Sequence, residues 1–106
     1  RRSGNLVWVK MDSHMPQAWP GEICFAPEGI AGRNVGKHLV LLFGTHEEMW
    51  VKYSLSFDFD LHFDRFVDKL QSADAKAALS EAQERKSDLK RIKENVGVDS
   101  STGMYK

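Results

Sequence analysis

The sequence predicts a small, mainly β domain closed at its C-terminal end by helices. Short runs rich in β-branched, aromatic and aliphatic residues follow one another between residues 5 and 57, separated by clusters of Gly, Pro, Asp and Ser. From Phe57 onward the apolar residues recur at helical spacing instead. The chain has 106 residues, enough for one modest core but not for two.

The first strand is expected over residues 5–11, with Leu6, Trp8 and Lys10 on one face and Val7, Val9 and Met11 on the other. Before it, Arg1 to Ser3 read as a frayed, solvated lead-in. The polar stretch Asp12-Ser13-His14 breaks the strand, and a second runs to residue 26 from about 21. Pro20 donates no hydrogen bond, so it is expected at an edge or bend that fixes where the Trp19 indole points. Residues 27–37, PEGIAGRNVGK, have the composition of a surface loop.

His38 to Phe43 is the clearest buried strand, with Leu39, Leu41 and Phe43 pointing one way and Val40 and Leu42 the other. Gly44-Thr45 turns the chain into a fourth strand over 48–53, and a short fifth falls near 55–57. Such strands suit a small, curled, antiparallel five-stranded barrel of SH3-like type. Phe59, Phe63, Phe66, Val67 and Leu70 then form the apolar face of a short helix. Ser72 is placed to cap a second helix, whose stripe of Ala75, Ala78, Leu79 and Ala82 allows close packing. The expected organisation is a lead-in over 1–3, a barrel over 4–57, two packing helices over 58–95 and a disordered tail over 96–106.

The formal charge is zero, so no global basic field draws the chain to nucleic acid, and any such binding must come from a local patch. A single cysteine, Cys24, rules out an internal disulfide and suits a reducing compartment. No apolar run approaches the length of a membrane span. The chain opens on Arg1 rather than Met, as expected of a piece cut from a longer protein. An enzyme reading finds little support. The histidines at 14, 38, 46 and 62 are dispersed, and no phosphate loop, metal-ligand spacing or nucleophile–base pair stands in the sequence. No metal or cofactor is expected.

GNLVWVKM at residues 4–11, followed by WPGEI at 19–23, resembles the start of a PWWP domain, and LLFGTHEEMW at 41–50 is similar to that family's second landmark. The likeness covers roughly residues 4–84 and is nearest to the hepatoma-derived growth factor members. The resemblance implies a nuclear, monomeric reader of trimethylated lysine on a histone tail, above all the transcription-associated methyl-lysine of histone H3. A quaternary ammonium binds in such a domain against π-faces, each well-placed ring contributing about 0.5–2 kcal/mol. Carried onto this sequence, the cage is offered by Met11 with His14 or Met15, by Trp19 and by Leu42. Phe43 would replace Leu42 only if the strand register slipped by one, which would turn the whole strand over. Thr45 or Glu47 stands at the rim. The motif is stretched to MPQAWP and Leu42 replaces an aromatic, so Trp19 is the one assured ring and weak affinity is expected.

Family readers also hold nucleosomal DNA, where phosphate contacts supply much of the affinity. The candidates are Lys10, Arg33, Lys37, Lys86, Lys90, Arg91 and Lys93. Lys86, Lys90 and Lys93 would share one helix face, although a basic helix end is also stabilising in its own right. Asp12 stands where related domains often carry a basic DNA contact. Two other readings remain beside the reader: an interaction scaffold with a lost cage, working through the Glu47–Trp50 turn or the helix face, and a mainly DNA-binding module.

Overall fold

The computed structural model describes residues 1–14, 17–26 and 34–102, with side chains described as far as residue 93. Five strands form one curled antiparallel sheet: β1 (Arg2–Val9), β2 (Trp19–Cys24), β3 (Lys37–Leu42), β4 (Glu48–Lys52) and β5 (Ser56–Asp58). Their order is β4-β3-β2-β1-β5, which leaves β4 and β5 at the edges. Two helices follow, α1 (Phe63–Val67) and α2 (Ala73–Thr102). This is the half-barrel with C-terminal helices that the residue patterning predicts.

Alternation along the strands sorts the core into two clusters. Val7, Val9, Val40, Leu42 and Val51 fill the inside of the barrel. Leu6, Trp8, Phe43, Phe59 and Phe66 lie on the opposite face, under the alanine stripe Ala75, Ala78 and Ala82 of α2. Trp8 is fully buried there; Phe59 stacks on it at 5.1 Å and accepts its indole N–H through the backbone carbonyl at 3.0 Å. Ser72 caps α2, its hydroxyl accepting the Ala75 N–H at 3.0 Å.

Several boundaries differ from the sequence expectation. Arg1 to Ser3 are not a solvated lead-in: β1 begins at Arg2, and the Phe25 N–H bonds the Arg1 carbonyl. The cause is Glu22, a fully buried carboxylate on β2. Between Arg2 and Leu6 the β1–β2 register shifts, and Gly4, at φ +88°, turns its N–H out of the ladder onto Glu22 Oε2 at 2.8 Å. Arg2 reaches Oε1 at 2.8 Å, and Arg85 of α2 forks onto both oxygens at 2.9 and 3.0 Å. One buried anion thus joins β1, β2 and α2.

Pro20 lies inside a central strand, opposite Trp8, rather than at an edge or bend. It is the second residue of β2, near the end of the ladder, where its carbonyl still accepts the Phe43 N–H at 3.0 Å. The first helix is shorter than the phenylalanine spacing suggests, since Phe59 and Leu70 join the core from outside α1. The α2 backbone continues to Thr102, past the end expected at 95. Residues 103–106 lie outside the described residues.

Candidate functional site

The end of the barrel where β1 runs into the β1–β2 loop also receives the start of β2 and the β3–β4 turn. Trp19 stands at that junction, half-buried and packed against both core clusters. Its indole N–H donates to the Phe43 carbonyl at 2.7 Å. A ladder residue at position 20 would normally offer its own N–H on that side of β2, and proline has none. The Phe43 carbonyl is therefore open to the indole, which locks the ring at the barrel rim.

Leu42, 6% exposed, belongs with Val40 to the interior cluster against which Trp19 packs. Phe43 points to the other face and is fully buried, with the Arg2 guanidinium 5.6 Å from its ring centroid. The register has not slipped, and Phe43 meets Trp19 through its carbonyl. Met11 is 49% exposed at the end of β1. His14 is exposed, in a turn closed by its N–H on Asp12 Oδ1 at 2.9 Å. Met15 lies outside the described residues.

Thr45 and Glu47 are exposed in the β3–β4 turn. Gly44 there has φ +84°, and a Cβ on it would come within 3.1 Å of the Ala78 Cβ. His46 also holds a positive φ, 62°. The turn is fastened to α2 by Glu81, whose two oxygens take the Gly44 N–H at 2.8 Å and the His46 Nε2 at 2.6 Å. Sequence reasoning did not single out Glu81. On α2 it neighbours the alanine stripe, but nothing local separates it from the other charged residues of the helix.

The basic candidates do not form one surface. Lys10 lies over the rings of Phe57 and Phe66 at 5.8 and 5.7 Å. Lys86 pairs with Asp60, and Arg91 pairs with Asp88 one turn away on its own helix. Lys90 and Lys93 are exposed on α2 without an ion pair among the described residues. Arg33 lies outside the described residues. Lys37 borders a cleft of about 230 Å³ that it shares with Lys10, Met11, Met49, Trp50, Val51, Lys52 and Leu55.

Three titratable groups near these elements are shifted, two of them by burial. Burial holds the His38 imidazole, 2.8 Å from the Ser56 hydroxyl, below its ordinary value and raises the Cys24 thiol. At Glu22, burial alone would raise the carboxyl, but the Arg85 hydrogen bonds, the Gly4 N–H and the two guanidinium charges outweigh it and hold the group below the carboxylate range.

A small half-barrel presenting a pinned indole beside a braced polar turn has the form of a binding module. The PWWP domain family model matches residues 4–87, and the chain belongs to that family, a chromatin-reader fold whose members are binding modules. Among solved structures it is similar to the second PWWP domain of WHSC1L1 in solution, 31% identical over 86% of this chain and 87% of that one, with a TM-score of 0.63. A crystal structure of WHSC1L1-PWWP2 is 27% identical over 92% of this chain and 95% of that one, with a TM-score of 0.47. No curated protein sequence is a significant match.

Proposed function

We propose that this PWWP domain reads a trimethylated lysine on a histone tail, the transcription-associated site of histone H3 first, as a nuclear module of a larger chromatin protein. The observation that carries the reading is Trp19: a half-exposed ring, held by its 2.7 Å bond to the Phe43 carbonyl, at the end of the barrel where the β1–β2 loop and the β3–β4 turn meet. Trp19 supplies the π-face, Leu42 the apolar floor, and Met11 with His14 or Met15 the outer wall. Methionine is polarisable and adaptable enough for that place. Thr45 and Glu47 stand at the rim, where a carboxylate favours an incoming cation. With a single aromatic wall, the cage binds weakly and depends on added DNA contacts, for which Lys90 and Lys93 are the α2 candidates exposed and without an ion pair among the described residues.

Titration of the isotope-labelled domain with trimethylated and unmodified H3 peptides, followed at the Trp19 indole N–H, tests the reading. The signal is expected to move with the methylated peptide alone and to be accompanied by shifts over residues 42–47. Equal response to both peptides, or full affinity in a Trp19→Ala protein, overturns it. The burial of Leu42 where an aromatic would stand favours one second reading, an interaction scaffold that has kept the fold and lost the cage. That reading expects no discrimination between the two peptides.

A further inference from the structure

β4 is an edge strand, and its hydrogen-bond phase is fixed at both ends. The Leu42 N–H bonds the Glu47 carbonyl at one end of the β3–β4 hairpin, and the Tyr53 N–H bonds the Gly36 carbonyl at the other. Bonded and non-bonded pairs alternate along an antiparallel ladder, so Leu41–Glu48, Leu39–Trp50 and Lys37–Lys52 are the non-bonded pairs. Two consequences follow. Glu48, Trp50 and Lys52 turn their backbone N–H and C=O outward from the sheet, and no described residue bonds those of Trp50 and Lys52, the two beside the lysine pair. Lys37 and Lys52 stand opposite each other in the closer kind of pair, a like-charge contact that destabilises a sheet. Neither has an ion-pair partner among the described residues.

The cleft of about 230 Å³ opens along this same edge. Its lining carries Lys10, Lys37 and Lys52 and no carboxylate, over an apolar floor of Met11, Met49 and Leu55. Proteins usually protect an exposed edge, and lysines are one means of doing so. Lysines alone would not need an apolar cleft beside them.

We propose that the β4 edge docks a short extended acidic segment of a partner protein, which adds a strand along Trp50–Lys52. Its carboxylates would neutralise the Lys37–Lys52 pair, and one apolar side chain would fill the cleft. Main-chain pairing supplies affinity in this mode and the alternate side chains supply specificity. A nucleic-acid backbone answers the lysines but has no amide groups to pair with the open edge, so the peptide is favoured. The site shares Met11 with the proposed cage, but its test reads the Trp50 and Lys52 amides rather than the Trp19 indole, so it stands or fails apart from the methyl-lysine reading.

The test is an amide-resolved NMR titration with acetylated, amidated Glu-Glu-Leu-Glu-Glu, with Lys-Lys-Leu-Lys-Lys and with a short DNA duplex. The acidic peptide is expected to shift the Trp50 and Lys52 amides and slow their exchange with solvent, while the basic peptide leaves them unmoved. A Lys37→Gln/Lys52→Gln protein is expected to bind the acidic peptide about tenfold more weakly. The same protein should melt at a higher temperature, because the like-charge contact is gone. Opposite signs on affinity and stability separate a binding site from damaged folding. Equal response to both peptides, unchanged affinity in the double variant, or lysine shifts with DNA and none with the acidic peptide would each overturn the proposal.

Discussion

Arg85 closes a fork on Glu22 from 63 residues away, its Nε on Oε1 at 2.9 Å and one terminal nitrogen on Oε2 at 3.0 Å. The carboxylate is fully buried and the guanidinium partly so. An ion taken out of water is stable only with near-complete hydrogen bonding, and Arg2 and the Gly4 N–H complete it here. Arg85→Ala removes the fork and leaves the anion with Arg2 and one amide. A loss of about 3 kcal/mol is expected in urea unfolding. Glu22→Leu with Arg85→Met should recover much of that, because an apolar pair of similar volume carries no desolvation cost. A double variant no better than Arg85→Ala would show that the bonds Glu22 makes to Arg2 and the Gly4 N–H outweigh its desolvation cost.

Acid should weaken the fold through the same group. The folded-state pKa of Glu22 is lowered, so its contribution is complete above the unfolded carboxyl's pKa and is lost as pH falls through the folded value. His38 adds to this in the same direction. Its folded pKa is depressed by burial, so the unfolded chain takes up a proton below the ordinary imidazole value and the folded one resists it. Thermal melts should be level near neutrality, decline first through the imidazole range and again through the carboxylate range. Glu22→Gln should flatten the second decline and leave the first.

The β3–β4 turn is seated on α2 with no spare volume. Ala78 is fully buried, and its Cβ lies 3.1 Å from where a side chain on Gly44 would begin. Ala78→Leu is expected to cost about 1–3 kcal/mol by overpacking. The loss should appear as a lower melting temperature, with NMR shift changes concentrated over residues 43–47.

Trp19→Phe separates the ring from its tether. The π-face and most of the packing stay, while the 2.7 Å bond to the Phe43 carbonyl goes. That carbonyl still accepts the Thr45 N–H, so the expected loss of stability is only about 1 kcal/mol. Calorimetry should find methyl-lysine peptide binding weakened but present, since the phenyl ring remains without its orientation. A protein indistinguishable from wild type in both measurements would mean that the tether fixes nothing.

DNA affinity should rest on Lys90 and Lys93, which have no ion pair among the described residues. Lys90→Ala with Lys93→Ala is expected to reduce the slope of log K against log salt by about 2, measured by anisotropy with duplex DNA. Lys86→Ala should change it less, because Asp60 already holds that ammonium. A larger effect from Lys86 would place the DNA elsewhere.

The sequence alone determined the local architecture. Alternation at residues 6–9 and 39–43 sorted Leu6 and Trp8 from Val7 and Val9, and Leu42 from Phe43, because side-chain direction in a strand follows from backbone geometry. Ser72 and the alanine stripe marked α2 for the same kind of reason, since a cap and a helix face are settled within a few residues. The residues that make PWWP motifs, and with them the family, were also legible.

Only the tertiary structure decided which charges are buried. Nothing around Glu22 signals an anion with two arginine partners, because one partner lies before the strand's apolar run and the other on a distant helix. The Trp19 tether was hidden in the same way: it depends on the Phe43 carbonyl, one residue past β3, left open by the missing N–H of Pro20, a relation that exists only once β2 and β3 are paired. The free edge of β4 was likewise beyond a linear reading. A strand's own residues fix which side chains face the core, but sheet order fixes which backbone groups remain unpaired.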